Sequence, residues 1–359
     1  MKKLFLIVFL FFVSVALFGQ NREVTVYTAG YYMESGVEKA CYWVGTEQII
    51  LSVPIGATRS RAQEIIVNNN IVYTTGWYIE SDTTKACYWV GTVRIDLNLP
   101  PGGLHSSTKK PIAVENGIVY VASDYAMHSY NSVGNWRAAY WRGTEFFELP
   151  RPNEERGATP VSIAVENGEV YIAGSYGVWL SSSGTSFRSR VFYWSGNQII
   201  ILPTPQSSYN YYVTDINVVN GIVYISGGYL NTSFPDSRAC YWRGAELITI
   251  NIPGANTAMM LAITVTNDTV HSIIHYQSGQ GRPQEWFLGI GTARGSGLPL
   301  PLGVSSYRIY SITEKSGAVY MSGNYTESNT TKVCYWIGNV RTDIGTINGS
   351  PQGGFIFVR

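Results

Sequence analysis

The stretch KACYWVGT occurs twice in this chain, letter for letter, at residues 39–46 and at residues 85–92. Eight identical residues at an interval of 46 indicate that a structural unit has been duplicated. Diverged copies of its Tyr-Trp-x-Gly core occur farther along, as YWRG at residues 140–143 and YWIG at residues 335–338. The repeat therefore organises the whole sequence.

A second recurrent feature, the dipeptide Val-Tyr, sets the length of the repeat unit. Aligned on it, the chain divides into seven units whose anchors lie 46 to 53 residues apart, with His replacing Tyr in the sixth. The anchors are Tyr27, Tyr73, Tyr120, Tyr171, Tyr224, His271 and Tyr320. Another tyrosine follows each anchor by five residues, and an isoleucine precedes every anchor but the first by eight.

Each unit contains four short runs rich in β-branched and aromatic residues, which predict four β-strands. Between the first two runs lie dipeptides such as Asn116-Gly117 and Asn167-Gly168. These residues tolerate the positive φ that a two-residue hairpin requires. We therefore predict an all-β fold in residues 20–359, a seven-bladed β-propeller of four-stranded antiparallel blades.

The C-terminal segment GGFIFVR, residues 353–359, carries the same Ile-x-Val spacing as the first strand of the other units. Ile356 and Val358 correspond in this way to Ile112 and Val114. The first unit lacks such a strand, so we predict that the C-terminal strand pairs into the N-terminal blade and closes the ring. An open solenoid is the alternative, and it would not need this strand.

The N-terminus predicts export. Two lysines precede an apolar run at residues 4–18, which is typical of a bacterial secretory signal peptide covering residues 1–19. The run is shorter than the roughly 20 residues that cross a bilayer. We expect cleavage after Gly19 and a secreted protein, periplasmic or on the outer cell surface; an uncleaved anchor is the alternative.

Charge and composition limit the partners. The chain has 25 basic and 24 acidic residues and a net charge of +1, so it offers a polyanion such as nucleic acid no electrostatic attraction. After signal cleavage no remaining segment is long and apolar enough to span a membrane. We expect a monomer.

The four cysteines all stand directly before a Tyr-Trp pair, in equivalent positions of different units: Cys41, Cys87, Cys240 and Cys334. Equivalent positions in neighbouring blades lie at least about 10 Å apart, too far for a disulfide. We predict free thiols buried between blades, with the Tyr-Trp pairs packed there as well. No Cys-x-x-Cys spacing exists, and we expect no metal and no cofactor. We also predict that the hydroxyls of the recurrent tyrosines hold loops in place.

The stretch CYWIGNVRTDIGTINGS, residues 334–350, resembles the HAF family of probable extracellular repeats. The shorter stretch VYISGGY, residues 223–229, is similar to the second strand of kelch propellers. The resemblance implies an exported repeat protein and supplies no catalytic residues.

The units differ most in the connection between their second and third strands, which is longest in units three and four. Loops of this kind carry function on rigid scaffolds, so we predict that exposed aromatic residues there contact a glycan or a protein. The candidates in these two connections are His128, Tyr130, Trp136 and Trp179, and the loop that enters unit five adds Tyr209, Tyr211 and Tyr212. The alternative is that these rings fold down over their own backbone.

A second candidate site lies at the mouth of the central channel, where the innermost strands place Glu64, Lys110 and Asp215, with hydroxyls from Ser162, Thr214 and Tyr310. These residues either bind a small polar ligand or only solvate the channel. No nucleophile elbow or phosphate loop is present. Our main prediction is a non-enzymatic binding or scaffold protein at the cell envelope, and the alternative is a polysaccharide-acting hydrolase or lyase at the channel mouth.

Overall fold

The structure is a computed structural model. It describes residues 25–105, 111–127, 136–151, 157–179, 187–205, 208–231, 237–278, 285–290, 304–315, 317–328, 330–338, 340–347 and 356–358. These ranges contain strands and turns and no helix, which confirms the predicted all-β fold. Within them, no helical segment has the length and hydropathy that a bilayer crossing requires. The predicted signal peptide lies outside the described residues.

Twenty-eight strands are described, and they follow the repeat units in chain order. Units one to three contain β1 (Val26–Glu34), β2 (Val37–Val44), β3 (Glu47–Ile50), β4 (Arg59–Asn68), β5 (Ile71–Glu80), β6 (Thr83–Val90), β7 (Val93–Asp96), β8 (Gly103–His105), β9 (Ile112–Glu115), β10 (Ile118–Met127), β11 (Trp136–Arg142) and β12 (Glu145–Glu148). Units four and five contain β13 (Ala158–Glu166), β14 (Glu169–Trp179), β15 (Phe187–Ser195), β16 (Gln198–Ile201), β17 (Ser208–Val219), β18 (Ile222–Asn231), β19 (Ser237–Arg243) and β20 (Glu246–Thr249). Units six and seven contain β21 (Ala255–Thr266), β22 (Thr269–Ser278), β23 (Glu285–Ile290), β24 (Val304–Lys315), β25 (Ala318–Glu327), β26 (Thr330–Ile337) and β27 (Val340–Ile347), and β28 (Ile356–Val358) follows.

Consecutive strands of a unit pair antiparallel, as in the sheet order β4-β5-β6-β7. The C-terminal strand β28 pairs antiparallel with β1, where the sequence predicts it, with Val26 opposite Val358. The innermost strands also contact one another in sequence. β4 contacts β9, β9 contacts β13, and the contacts continue through β17, β21, β24 and β28 back to β4. The fold is therefore propeller-like.

The two-residue turns between first and second strands have the predicted geometry. Asn116 and Gly117 have φ values of 51° and 78°, and Asn167 and Gly168 have 55° and 81°. Positive φ at both positions defines the type I′ turn, whose twist matches that of the flanking strands. The Asn-Gly dipeptides therefore set the register of these hairpins.

The recurrent tryptophans pack between units, as predicted. Four of the fully buried indoles donate their Nε1–H to a carbonyl in the connection that leaves the preceding unit. The pairs are Trp89 to Ser52 (2.7 Å), Trp141 to Asn98 (2.9 Å), Trp194 to Pro150 (2.8 Å) and Trp242 to Pro203 (2.8 Å). Because a buried indole N–H needs a partner, each bond also fixes the path of that connection.

The cysteines occupy the third strands of their units and are fully buried as free thiols. Burial raises the pKa of the thiols of Cys41, Cys240 and Cys334. A thiol with a raised pKa carries little thiolate and is a poor nucleophile. These side chains therefore act as small apolar residues in the core.

We predicted that the hydroxyls of the recurrent tyrosines hold loops, and the structure shows a different partner. Instead of a loop, three of their hydroxyls contact a carboxylate on the outermost strand of the same unit: Tyr78 with Asp96 (3.2 Å), Tyr125 with Glu148 (2.6 Å) and Tyr325 with Asp343 (2.7 Å). Burial, followed by the bond to Asp343, raises the pKa of Tyr325 to about 12. Each hydroxyl thus ties the second strand to the fourth across the third.

Most innermost strands contain a β-bulge, in which one residue has no partner on the second strand. The register skips Gln63 in β4, Thr214 in β17 and Tyr310 in β24. The residue after the bulge directly precedes the recurrent isoleucine, as Asp215 precedes Ile216. The bulges lie at the level of the central cavity and direct polar side chains toward it.

Candidate functional site

A cavity of about 160 Å³ lies at the centre of the contact ring. Its walls come from the innermost strands of units two to seven. The polar lining residues are Glu64, Ser162, Thr214, Asp215, Tyr310 and Ser311. Pockets that bind whole ligands are usually about 300–1,000 Å³. This cavity is smaller, and its volume suits a group of the size of one sugar ring.

Glu64 faces the cavity from the position directly after the bulge in β4. Its Oε2 accepts a hydrogen bond of 2.8 Å from the backbone N–H of Ile112 in the next unit. The surrounding lining includes the apolar side chains of Ile65 and Ile66. One carboxylate oxygen is thus held in place by the scaffold.

Asp215 occupies the equivalent position in β17 and accepts hydrogen bonds at both of its carboxylate oxygens. Its Oδ1 accepts from the Ser162 hydroxyl (2.7 Å) and from the Ile216 N–H (2.9 Å). Its Oδ2 accepts from the Ile263 N–H at 3.2 Å. Three donors on one carboxylate stabilise its charged form and fix its orientation.

Hydroxyl groups complete the polar lining. Thr214 donates to the Met260 carbonyl at 2.9 Å and lies 2.9 Å from the Ser226 hydroxyl. The Tyr310 hydroxyl accepts from the Asn324 amide at 2.7 Å. Burial raises the pKa of Tyr310, and the Asn324 bond and the positive charge of Arg308 oppose that increase. Tyr310 is therefore neutral at physiological pH.

The structure brings most of the predicted channel residues together. Glu64 and Asp215 line one cavity with the hydroxyls of Ser162, Thr214 and Tyr310. Lys110 lies outside the described residues. Among the described residues, no group of three or more His, Cys, Asp or Glu side chains is placed to hold a metal ion.

The predicted loop aromatics are placed differently. Tyr211 is only 4% exposed, and its hydroxyl donates to the Pro205 carbonyl. Burial raises the pKa of Tyr212, whose ring lies against Gly228. Both take the alternative that we predicted, rings packed against their own chain, because β17 begins early and draws this segment into the sheet.

Of the remaining loop candidates, Trp136 begins β11 and is partly buried. His128 and Tyr130 lie outside the described residues. Trp179 and Tyr209 have described backbone in β14 and β17, and their side chains lie outside the described set. A ligand-binding surface at these positions stays a prediction.

Sequence reasoning missed two features near the cavity. Asn324, which holds Tyr310, stands four residues after an anchor, where units two and five have Trp77 and Gly228. Arg61 and Arg308 each stand four residues before a recurrent isoleucine. In both cases the signal is a position at which the units disagree.

The sequence matches no family model and no curated protein. Among solved structures, an acylaminoacyl peptidase in complex with Z-Gly-Gly-Phe-chloromethyl ketone matches 91% of this chain with a TM-score of 0.51 at 10% identity, and the chain spans 51% of that protein. An exo-1,5-α-L-arabinanase from a bovine ruminal metagenomic library has a TM-score of 0.34 at 9% identity, covering 66% of this chain and 95% of its own. An arabinanase from Bacillus subtilis has a TM-score of 0.33 at 10% identity, covering 64% and 92%.

These three solved structures are enzymes, the peptidase with a TM-score of 0.51 included. This finding corrects our prediction of a non-enzymatic binding or scaffold protein. At 9–10% identity the likeness shows the fold alone, so the reaction has to be argued from the cavity. None of the three is described as a kelch or HAF protein, and that resemblance stays a prediction.

Proposed function

We propose that the protein is a polysaccharide-acting hydrolase whose active site is the central cavity. The observation that carries the proposal is the pair of carboxylates, Glu64 and Asp215, which line one small cavity with several hydroxyls. Glycoside hydrolysis requires two carboxyl groups, one that protonates the leaving oxygen and one that acts as nucleophile or base.

The hydrogen bonds suggest how the two roles divide. Asp215 accepts from three donors, which favours the charged form that a nucleophile or base needs. Glu64, the second carboxylate of the lining, is then the group that delivers the proton. Tyr310 adds a neutral hydroxyl that orients a sugar ring by hydrogen bonding.

In this proposal the scaffold is a seven-bladed propeller formed by residues 20–359. The closed series of contacts among the innermost strands supports this count, as does the pairing of β28 with β1. Residues 1–19 export the protein, and it works as a monomer on a glycan in the periplasm or at the cell surface.

The proposal is tested by measuring reducing-end release from a panel of neutral and acidic polysaccharides. Asp215→Asn and Glu64→Gln should each lower the turnover of any cleaved polysaccharide by about 10²–10⁴-fold, because each removes an acid/base group without changing its shape. Glu80→Gln is the matched control, since Glu80 pairs with Lys85 away from the cavity, and it should keep full activity.

Two outcomes would overturn the proposal. The first is that the wild-type protein cleaves no polysaccharide in the panel. The second is that folded Asp215→Asn and Glu64→Gln variants cleave as fast as the wild type.

A further inference from the structure

Three arginines lie in the N-terminal halves of two innermost strands. Arg59 and Arg61 belong to β4, and Arg308 belongs to β24. Arg61 and Arg308 stand at equivalent positions of their strands. Each is followed by one residue that is still paired with the second strand, and the bulge comes next. We call Arg59, Arg61 and Arg308 the arginine rim.

Arg61 is held rigidly in this rim. Its Nε and Nη2 donate to the two oxygens of Glu38 at 2.7 and 2.6 Å. Its guanidinium lies 4.6 Å from the centre of the Tyr31 ring and 5.7 Å from that of Trp77. A bidentate ion pair together with ring stacking is among the most ordered arrangements that arginine forms.

Arg59 shares the same carboxylate. Its Nη2 donates to Glu38 Oε2 at 2.8 Å, and its side chain is 48% exposed. Two guanidinium groups therefore face a single carboxylate, and one positive charge remains uncompensated within this cluster.

Arg308 brings positive charge to the neighbouring part of the rim. The residue is exposed and stands two positions before Tyr310 in β24, just as Arg61 stands three positions before Glu64 in β4. Tyr310 and Glu64 both line the cavity. The rim therefore adjoins the cavity next to Tyr310.

The charges are separated by depth. The described lining of the cavity carries two carboxylates and no basic side chain, whereas the rim carries three guanidinium groups and the single carboxylate of Glu38. An anionic group would be repelled inside the cavity and attracted at its edge. A glycan with a carboxylate would thus be oriented as it entered.

We propose that the arginine rim binds the carboxylate of a uronic acid residue, so that the substrate is an acidic glycan. The inference rests on the proposed function, in which Glu64 and Asp215 act on a sugar in the cavity. Guanidinium groups match carboxylates geometrically through paired N–H donors. A neutral arabinan or xylan offers no group for these charges.

Binding of an aldotetraouronic acid, a neutral xylotriose that carries a single glucuronic acid residue, is measured by isothermal titration calorimetry on the full chain and tests the inference. Its methyl-esterified form is the matched ligand, because it keeps the sugar chain and removes the charge. Wild-type protein should bind the acid form at least about tenfold more tightly. Arg308→Ala and Arg59→Ala should each weaken binding of the acid form by about tenfold and leave binding of the ester unchanged.

Arg94→Ala is the control variant, since Arg94 pairs with Asp96 on the outer strand β7 and stacks on Tyr78. It should bind both ligands as the wild type does. Equal affinity for acid and ester, no measurable binding of the acid form, or unchanged binding by both rim variants would overturn the inference.

The result is separable from the test of the reaction. Asp215→Asn should still bind the aldotetraouronic acid, because its single carboxylate would contact the rim and Asp215 lies in the cavity. If the rim variants lose binding and Asp215→Asn keeps full turnover, the inference stands and the acid/base proposal fails. If Asp215→Asn loses turnover and the rim variants bind normally, the acid/base proposal stands and the inference about the rim fails.

Discussion

Glu38 holds two of the three arginines of the rim, Arg59 and Arg61. Its side chain is only 14% exposed and accepts from both Arg61 and Arg59. Burial acts to raise its pKa, but the hydrogen bonds and charges of the two arginines outweigh burial and lower the pKa overall. A carboxylate stabilised in this way contributes to folding only while it is charged.

Folding stability should therefore depend on pH through Glu38. A lowered pKa in the folded state means that the contribution is complete above the unfolded value of about 4.3 and is lost as the pH falls through the lower folded value. Urea unfolding should show Glu38→Gln to be less stable than wild type at neutral pH, and the two should converge as the pH falls through that window. An equal gap at all pH values would show that the charge of Glu38 contributes nothing.

Single residues differ in how far they can be predicted. Glu64 and Asp215 are predictable because each directly precedes a recurrent isoleucine, so the repeat places both at the channel. The Glu38–Arg61 pair is not, because its members lie 23 residues apart in different units and only the packing of β2 against β4 joins them. Tyr211 is ambiguous, since an aromatic ring packs inward or outward with equal ease.

At the scale of elements, neighbouring units are joined by carboxylates at the end of the innermost strand. Glu166, the last residue of β13, accepts from the turn N–H groups of Asn220 and Gly221 at 2.8 and 2.6 Å. Glu115, the last residue of β9, accepts in the same way from the turn of unit four, at 2.7 Å for both bonds. Each glutamate caps the hairpin of the following unit.

Removing one of these caps should loosen one junction without changing the fold. Glu166→Ala loses two charge-assisted hydrogen bonds at a solvent-exposed turn, so we expect a loss of about 1–2 kcal/mol in the free energy of unfolding. Chemical denaturation measures it, and Glu246→Ala, at an exposed position on β20, should cost much less. Equal stability of the two variants would mean that the cap contributes nothing.

The elements were predictable where turn chemistry is specific and unpredictable where it is not. Asn116-Gly117 identifies its hairpin because few other pairs accept positive φ twice. The bulge at Thr214 leaves no such trace, because the spacing between isoleucine and anchor is the same with a bulge or without one. The cavity lining depends on these bulges, so its details could not be predicted.

At the scale of the whole molecule, the pairing of β28 with β1 joins the two ends of the described chain. Among the described residues, three pairs make this connection, from Val26 with Val358 to Thr28 with Ile356. The same strand contacts β24 and β4 on either side. The first unit therefore depends on a strand about 300 residues away in sequence for its innermost position.

Deleting residues 355–359 should open this junction. We expect a lower thermal midpoint and faster proteolysis near β1, since β1 would lose its partner and expose unpaired backbone groups. A variant that lacks only Arg359 serves as the control and should behave as the wild type. Unchanged stability after the longer deletion would show that the junction is dispensable.

Function was the least predictable property at this scale. The repeat signal in residues such as Trp89 and Cys87 describes how units pack, and packing is the same whether or not the molecule is an enzyme. The low charge of the chain favoured a binding protein, and the comparisons corrected that prediction. The informative positions are those at which the units disagree.

The pairing of β28 with β1 also has a consequence for biosynthesis. The ribosome makes β1 long before its partner β28, so a nascent chain that lacks β28 carries a first unit with one open edge. An open edge in an incomplete chain invites pairing with other chains. The first unit is thus completed only after β28 has been made, and a chain interrupted shortly before β28 would be prone to aggregate.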